Sequence, residues 1–229
     1  MIVKNINYSI DKLENEAASR QPILNILDTI SKSEVVKKSV LEFGCGNGRN
    51  LEVFREDGHD VFGVDGLSDA VNACRKKGID AHLINLDTEF SLNGKWDLIL
   101  ILDVLEHLED PLKLLQVSKK FLNEGGRIII NVPNHFTLQG RFRIMLGSGI
   151  DSEKFFPDSE VWNYPHLRFF NYESIVDMTK ICGLQIHADH SSKLARRPKI
   201  KFIPIFMINW IWRKLPINLS SGGFFLELR

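Results

Sequence analysis

The 229-residue chain is short of cysteine, of long apolar runs and of any charge imbalance, and each shortage removes a class of protein. Its cysteines, Cys45, Cys74 and Cys182, are scattered and form no CxxC pair, so neither a disulfide scaffold nor a zinc knuckle is expected. The longest apolar run, Phe202 to Trp212, covers eleven residues and is broken by Pro204 and Asn209. A bilayer span needs roughly 20. Polar and charged residues recur through the first twenty positions with no apolar h-region, so no secretory signal is expected and the predicted location is cytoplasmic. Lys and Arg number 29, as do Asp and Glu, which argues against a protein devoted to holding phosphate backbones. Without repeats, low-complexity tracts or Ser/Gly linkers, residues 1–229 read as one domain.

The zero net charge is unevenly spread. Between His190 and Leu226 there is no Asp or Glu, while Lys193, Arg196, Arg197, Lys199, Lys201, Arg213 and Lys214 supply seven positive charges. The remainder of the chain is therefore net negative.

From Val40 onward, short Val/Ile-rich runs alternate with amphipathic stretches. Strands are expected over 40–44, 61–65, 81–85, 96–104, 127–132, 184–187 and 224–228. Helices are expected over 22–31, 49–56, 67–77, 111–121 and 174–182. The run WDLILILDV (96–104) suits a central parallel strand covered on both faces. Alternation of this kind implies βαβ units and an α/β fold with a mostly parallel sheet, helices on both faces. Two segments interrupt it, 134–171 and 190–222, and residues 1–35 precede it, read as an N-terminal helical cap near the site entrance. Long ordered insertions of this sort are commonly lids or substrate-binding loops.

LEFGCGNGRN (41–50) lies where the first strand passes to the first helix. Gly44, Gly46 and Gly48 permit positive φ and close approach of a ligand to the backbone. The spacing is GxGxG, unlike the GxGxxG of dinucleotide binders, and no GK[ST] follows. Asp65 ends the next strand, where a carboxylate accepts both hydroxyls of a ribose. Its alternative role is to cap a loop. Glu42 would repel a diphosphate and suits an ammonium or sulfonium.

Taken with Asn85-Leu86-Asp87 and the strand from Asp97 to Asp103, this order of motifs resembles the class I S-adenosylmethionine-dependent methyltransferases. LDVLEHLEDP (102–111), NVPN (131–134) and HLRFF (166–170) are similar to the branch that includes the ubiquinone-biosynthesis O-methyltransferases. The resemblance implies a Rossmann-like seven-stranded sheet, with a lid insertion and a basic, aromatic insertion before the last strand. It implies cofactor contacts from Glu42, Gly44, Cys45, Gly46, Gly48, Asp65, Gly66, Leu86, Asp87 and Asp103. Asp87 read without the resemblance is a surface turn residue.

Asp103, Glu106 and His107 fall at i, i+3 and i+4, so a helical turn beginning at the end of the fourth strand would aim all three one way. Two carboxylates and an imidazole could hold a divalent cation, Mg²⁺ or Mn²⁺. The resembled O-methyltransferases carry a similar Glu-x-x-Glu-His cluster. The alternatives are a polar contact to cofactor or substrate and a purely structural role. Candidate general bases are His166, His107 and His135, with packing as the competing role for each. Phe155, Phe156, Trp162, Tyr164, Phe169 and Phe170 either wall an acceptor pocket or form the lid's own core.

RRPKIKFIPIFMINWIWRK (196–214) sets Trp-rich apolar sequence between basic clusters. Three roles fit it: packing on its own fold or a homodimer partner, peripheral docking on a membrane surface, and binding an anionic substrate. The expected activity is methyl transfer from S-adenosylmethionine to an oxygen of a small-molecule, saccharide or lipid-linked acceptor. Two other classes stay open. One is a cofactor-binding sensor or partner subunit that transfers nothing; the other is an RNA methyltransferase using the basic segment. Against the latter, Leu102-Asp103-Val104-Leu105 stands where an NPPY-type signature would be, and nucleic acid is not expected as a partner.

Overall fold

The structure, a computed structural model, describes residues 17–147, 166–195, 210, 212 and 214–229. Helix α1 (Ala17–Ser33) precedes strand β1 (Ser39–Phe43), α2 (Arg49–Glu56), β2 (Asp60–Asp65), α3 (Ser68–Lys76) and β3 (Asp80–Leu83). Strand β4 (Trp96–Leu102), a 3-10 turn (Leu105–His107), α4 (Pro111–Lys120), β5 (Leu122–Pro133) and α5 (Leu138–Met145) follow. The chain closes through α6 (Tyr172–Ile181), β6 (Ile186–Asp189), a 3-10 turn (Ser191–Leu194), the short α7 (Ile217–Ser220) and β7 (Gly223–Leu228). Seven strands form one sheet in the order β3-β2-β1-β4-β5-β7-β6. Every pairing among β1 to β5 is parallel, while β7 runs antiparallel to both β5 and β6. The expected mostly parallel, Rossmann-like sheet is what forms.

Period-2 alternation divides the apolar strand residues between two cores. Leu41, Phe43, Ile99, Ile101, Ile128 and Ile130 face the layer of α4 and α6, with Leu115, Ile175 and Met178. Val40, Leu98, Leu100 and Ile129 face α1, α2 and α3, meeting Leu27, Phe54 and Cys74. Burial on both sides is why β4 carries no alternating polar residue. The helices start where side chains satisfy their first amides: Asp110 accepts from the Lys113 N–H at 3.1 Å, and Asn171 with Ser174 makes a capping box on α6.

Several observed boundaries differ from expectation, among them those of β4, β5, β6 and α1. Strand β4 ends at Leu102, two residues early, because Asp103 takes φ +56°, outside the strand region. Strand β5 begins at Leu122: Leu122 stands opposite Trp96 and Arg127 opposite Leu98, so Gly125-Gly126 lies inside an irregular stretch of the strand. Strand β6 is displaced to Ile186–Asp189, and α1 is longer at both ends than 22–31. Residues 1–16, most of the lid (148–165, with Phe155, Phe156, Trp162 and Tyr164) and 196–209 lie outside the described residues.

Helix α1 crosses the sheet from end to end. Arg20 lies 3.6 Å from Asp103 at the carboxyl end of β4, and past the other end of α1 Glu34 pairs with Arg127 at the entry of the regular part of β5. Arg127 also bonds Glu227 of β7 at 2.7 Å, and Glu227 accepts or shares a proton with His190 Nε2 at 2.6 Å. This charge network therefore joins an early helix to the last strand, on the side of the sheet opposite the glycine loop.

Candidate cofactor and acceptor site

The carboxyl ends of β1, β2, β4 and β5 converge on one edge, the usual ligand edge of an open α/β sheet. The loop after β1 is shaped by its glycines, but not all serve the same end. Gly44, Gly46 and Gly48 have φ of +72°, +53° and +78°. A Cβ on Gly44 would stand 2.4 Å from Val104 Cγ2, and one on Gly48 2.8 Å from Ile79 Cδ1, so these two are demanded by the protein's own packing. A Cβ on Gly46 would meet nothing within 4 Å. That position opens on free space, as a ligand cradle requires.

Asp65 ties this loop to β2. Its Oδ2 accepts the Gly46 N–H at 2.9 Å and its Oδ1 the Leu67 N–H at 2.9 Å. Each carboxylate oxygen keeps a second lone pair for a hydroxyl. Burial pushes the Asp65 carboxyl up, and the backbone donors of Gly46, Leu67 and Gly66 pull it back.

Glu42 is fully buried at the end of β1. Oε1 accepts from Asn50 Nδ2 at 2.6 Å, while Oε2 has no hydrogen-bond partner among the described residues. Desolvation raises its pKa to about 8, against a smaller opposing pull from Asn50 and Arg20. A buried carboxylate oxygen beside a glycine loop fits a cationic group and explains why the loop suits a sulfonium or ammonium ligand better than a diphosphate.

Cys45 does not face this space. Its Sγ sits 3.6 Å from Cys74 Sγ inside the core, its N–H bonds the Val64 carbonyl, and its carbonyl accepts from Gly48. With side chain, amide and carbonyl all engaged by the fold, its contribution is the shape of the loop. The contact with Cys74, and then burial, hold its thiol well above the ordinary range. Gly66 is exposed at the loop after β2, Leu86 is half-buried against the core, and exposed Asp87 accepts the Glu109 N–H at 2.9 Å, so the turn reading of Asp87 has a specific partner.

The expected Asp103, Glu106, His107 triad is not the group that assembles. Because Asp103 sits at positive φ and the 3-10 turn begins only at Leu105, the i, i+3, i+4 rule does not apply across it. Asp103 instead accepts from Asn131 Nδ2 at 2.5 Å and pairs with Arg20. Glu106 and His107 meet His166, with one ligand atom from each lying within 4.8 Å of the others. His135 Nε2 is 2.8 Å from His166 Nδ1, and its ring packs edge-on to Phe169. All three candidate imidazoles thus collect at one place. The element HLRFF reaches it because the Glu106 carbonyl accepts both the Leu167 and Arg168 N–H groups, at 2.8 and 3.0 Å. NVPN does so through buried Asn134, whose Nδ2 donates to the carbonyls of Asn218 and Ser221 at 2.9 and 2.8 Å.

Sequence reasoning missed the Cys45–Cys74 contact, the Asn131–Asp103 bond and the Arg20–Asp103 pair. The first two join strand-end residues to elements 28 or 29 positions away, for which a single sequence carries no signal.

A family profile described as a methyltransferase domain matches residues 15–188. The chain belongs to that family. Its sequence is that of a methyltransferase domain, and its fold is that of the class I S-adenosylmethionine-dependent methyltransferases. The chain is similar to the ubiquinone biosynthesis O-methyltransferase of Actinobacillus pleuropneumoniae, with 27% identity over 149 residues. That match takes in 56% of this chain and 63% of the relative, less than two thirds of its length. A methyltransferase from Mesorhizobium loti superposes with a TM-score of 0.62 over 92% of this chain and 97% of the other, at 16% identity. The magnesium protoporphyrin IX methyltransferase of Synechocystis, solved with bound S-adenosylhomocysteine, gives 0.59 over 91% of this chain and 84% of its own at 16% identity. At such identity the structural likeness concerns the fold.

Proposed function

We propose that this methyltransferase moves the methyl group of S-adenosylmethionine to an oxygen of a small or lipid-linked acceptor. The observation that carries the reading is the collection of His107, His135 and His166 on the same sheet edge as the glycine loop, Glu42 and Asp65. Asp65 would hold the ribose hydroxyls, Glu42 and Asp103 the cofactor's cationic end, and Leu86 and Asp87 the adenine edge. The bound cofactor supplies an electrophilic methyl on a sulfonium. In-line displacement then asks the protein for alignment and for removal of the acceptor's proton. His166 would serve as that base, and the 2.8 Å contact of its Nδ1 with His135 Nε2, which would orient the ring, supports the assignment. The similarity to an O-methyltransferase supports oxygen as the methylated atom.

Calorimetry with S-adenosylhomocysteine tests the cofactor reading. Binding in the micromolar range is expected for the native chain, with a loss of at least tenfold for Asp65→Ala. No heat with the native protein would overturn it.

A second reading is favoured by the compact Glu106, His107, His166 group, whose two imidazoles and one carboxylate fit a transition-metal dication such as Mn²⁺ or Zn²⁺ better than Mg²⁺. Methylation of a catechol or phenol panel, followed by mass spectrometry with and without a chelator, separates the two. Indifference to the chelator supports the base, and loss restored by Mn²⁺ supports the metal.

A further inference from the structure

Helix α5 leaves β5 at the site edge and is defined, with Thr137 Oγ1 accepting the Gly140 N–H at 3.1 Å. It has eight residues and none is buried. Helices this short gain their stability from packing an apolar face. At about 100° per residue, Leu138, Phe142, Met145 and the following Leu146 fall on one arc. Phe142 is 54% exposed, Met145 71% and Leu146 80%, while Ile144 on the opposite arc is 39% exposed. Arg141 borders the apolar arc on one side and Arg143 on the other. Arg141 is held in place by a bond from its Nε to the Phe136 carbonyl at 2.9 Å.

Helix α5 borders α7, and α7 ends at Ser220, whose carbonyl accepts from Trp212 Nε1 at 3.3 Å. Two residues before Trp212, Trp210 is 62% exposed, with Lys214 Nζ 4.1 Å from its ring centre. No Asp or Glu occurs in residues 125–150 or 191–226. Two neighbouring pieces of chain therefore present bulky apolar side chains bordered by cations; neither sequence segment holds a carboxylate, and the nearby Glu173 carboxylate accepts from Asn218 Nδ2 at 2.7 and 2.8 Å.

We infer that α5, with Trp210 and Lys214, is an interfacial docking surface for an anionic lipid bilayer. Phe142, Met145, Leu146 and Trp210 would enter the headgroup boundary while Arg141, Arg143 and Lys214 meet lipid phosphates. Because α5 follows the carboxyl end of β5, docking brings the mouth of the site to the lipid surface. The inference does not rest on the cofactor reading, since the surface is formed by the chain alone.

The test is co-sedimentation with vesicles of phosphatidylcholine alone and of phosphatidylcholine with roughly one-third phosphatidylglycerol. Binding to the anionic vesicles only, weakened by salt, is expected. Arg141→Gln and Arg143→Gln should each reduce it about fivefold. Phe142→Ser with Met145→Ser should reduce it more than tenfold, leaving S-adenosylhomocysteine affinity unchanged. Since these side chains are exposed, the variants keep their fold, and circular dichroism checks that. Absence of binding to anionic vesicles, or binding indifferent to all four substitutions, overturns the inference. So does a dimer in analytical ultracentrifugation that the Phe142 and Met145 changes dissociate, because the face would then belong to a second copy.

Discussion

Gly44 and Gly46 look alike in sequence and differ in what they serve. Gly44→Ala drives a methyl group into Val104 and should lower thermal stability by several kcal/mol, in the range of overpacked cores. Gly46→Ala meets only open space, so its stability cost is about 1 kcal/mol for the left-handed backbone. Its effect should instead appear as lost cofactor affinity. Thermal denaturation and calorimetry on the pair check this, and equal loss of stability in both would refute the division. Glu42 offers a second residue-scale test. Its folded pKa of about 8 exceeds the unfolded value near 4.5, so the folded chain holds a proton the unfolded chain releases. Stability of the ligand-free protein should therefore fall as pH rises from about 4.5 to 8, and Glu42→Gln should flatten that slope. If a cationic cofactor end ionises Glu42, binding near pH 7 should release close to one proton. Calorimetry in buffers of different ionisation enthalpy reads that number directly.

The element scale is where sequence reading was most and least successful. Strand β4 was legible because burial on both faces leaves an unbroken Leu/Ile run from Leu98 to Leu102, and β1 and β2 were legible as short runs rich in Val and Phe. The glycine loop and Asp65 were legible because a strand-to-helix turn that receives a ligand has few chemical solutions. The acceptor side was not. Asp103, Glu106 and His107 follow a helical spacing, but one left-handed residue turns Asp103 toward Asn131 and Arg20, and no spacing rule contains that turn. His166 joins from a segment fifty-nine positions beyond His107, carried there by two backbone bonds to the Glu106 carbonyl, to which side-chain identity gives no clue. Asn134 is the element-scale lock. It fastens the end of β5 to the segment before β7 through Asn218 and Ser221, and its Oδ1 also accepts from Phe136. Asn134→Ala leaves buried groups unpaired and should cost about 2–3 kcal/mol, measured by chemical denaturation. Methyl transfer should fall with it as His135 loses its anchor.

For the whole molecule, the neutral total charge hides a division of labour. Buried and half-buried carboxylates surround the glycine loop, while residues 191–226 carry seven basic residues among aromatics and no carboxylate. A cofactor held as proposed would touch β1, β2 and the turn after β4 at once, so occupancy should stabilise the molecule as a unit. At a cofactor concentration a hundred times Kd the gain is about 2.7 kcal/mol, or roughly 5–10 °C in Tm for a chain of this size. Differential scanning fluorimetry with S-adenosylhomocysteine measures it, and no shift at saturation would contradict a site built from several elements.

The reversed strand β7 has a kinetic consequence. It lies between β5 and β6, and among the described residues β6 has no other neighbour in the sheet. Because β7 follows both in the chain, it must enter between two earlier strands, and until it does, β6 lacks this partner and Arg127 lacks Glu227. Assembly of this half of the sheet is a late, long-range event, which makes slow refolding and a partner-seeking edge on β5 the expected marks of the nascent chain.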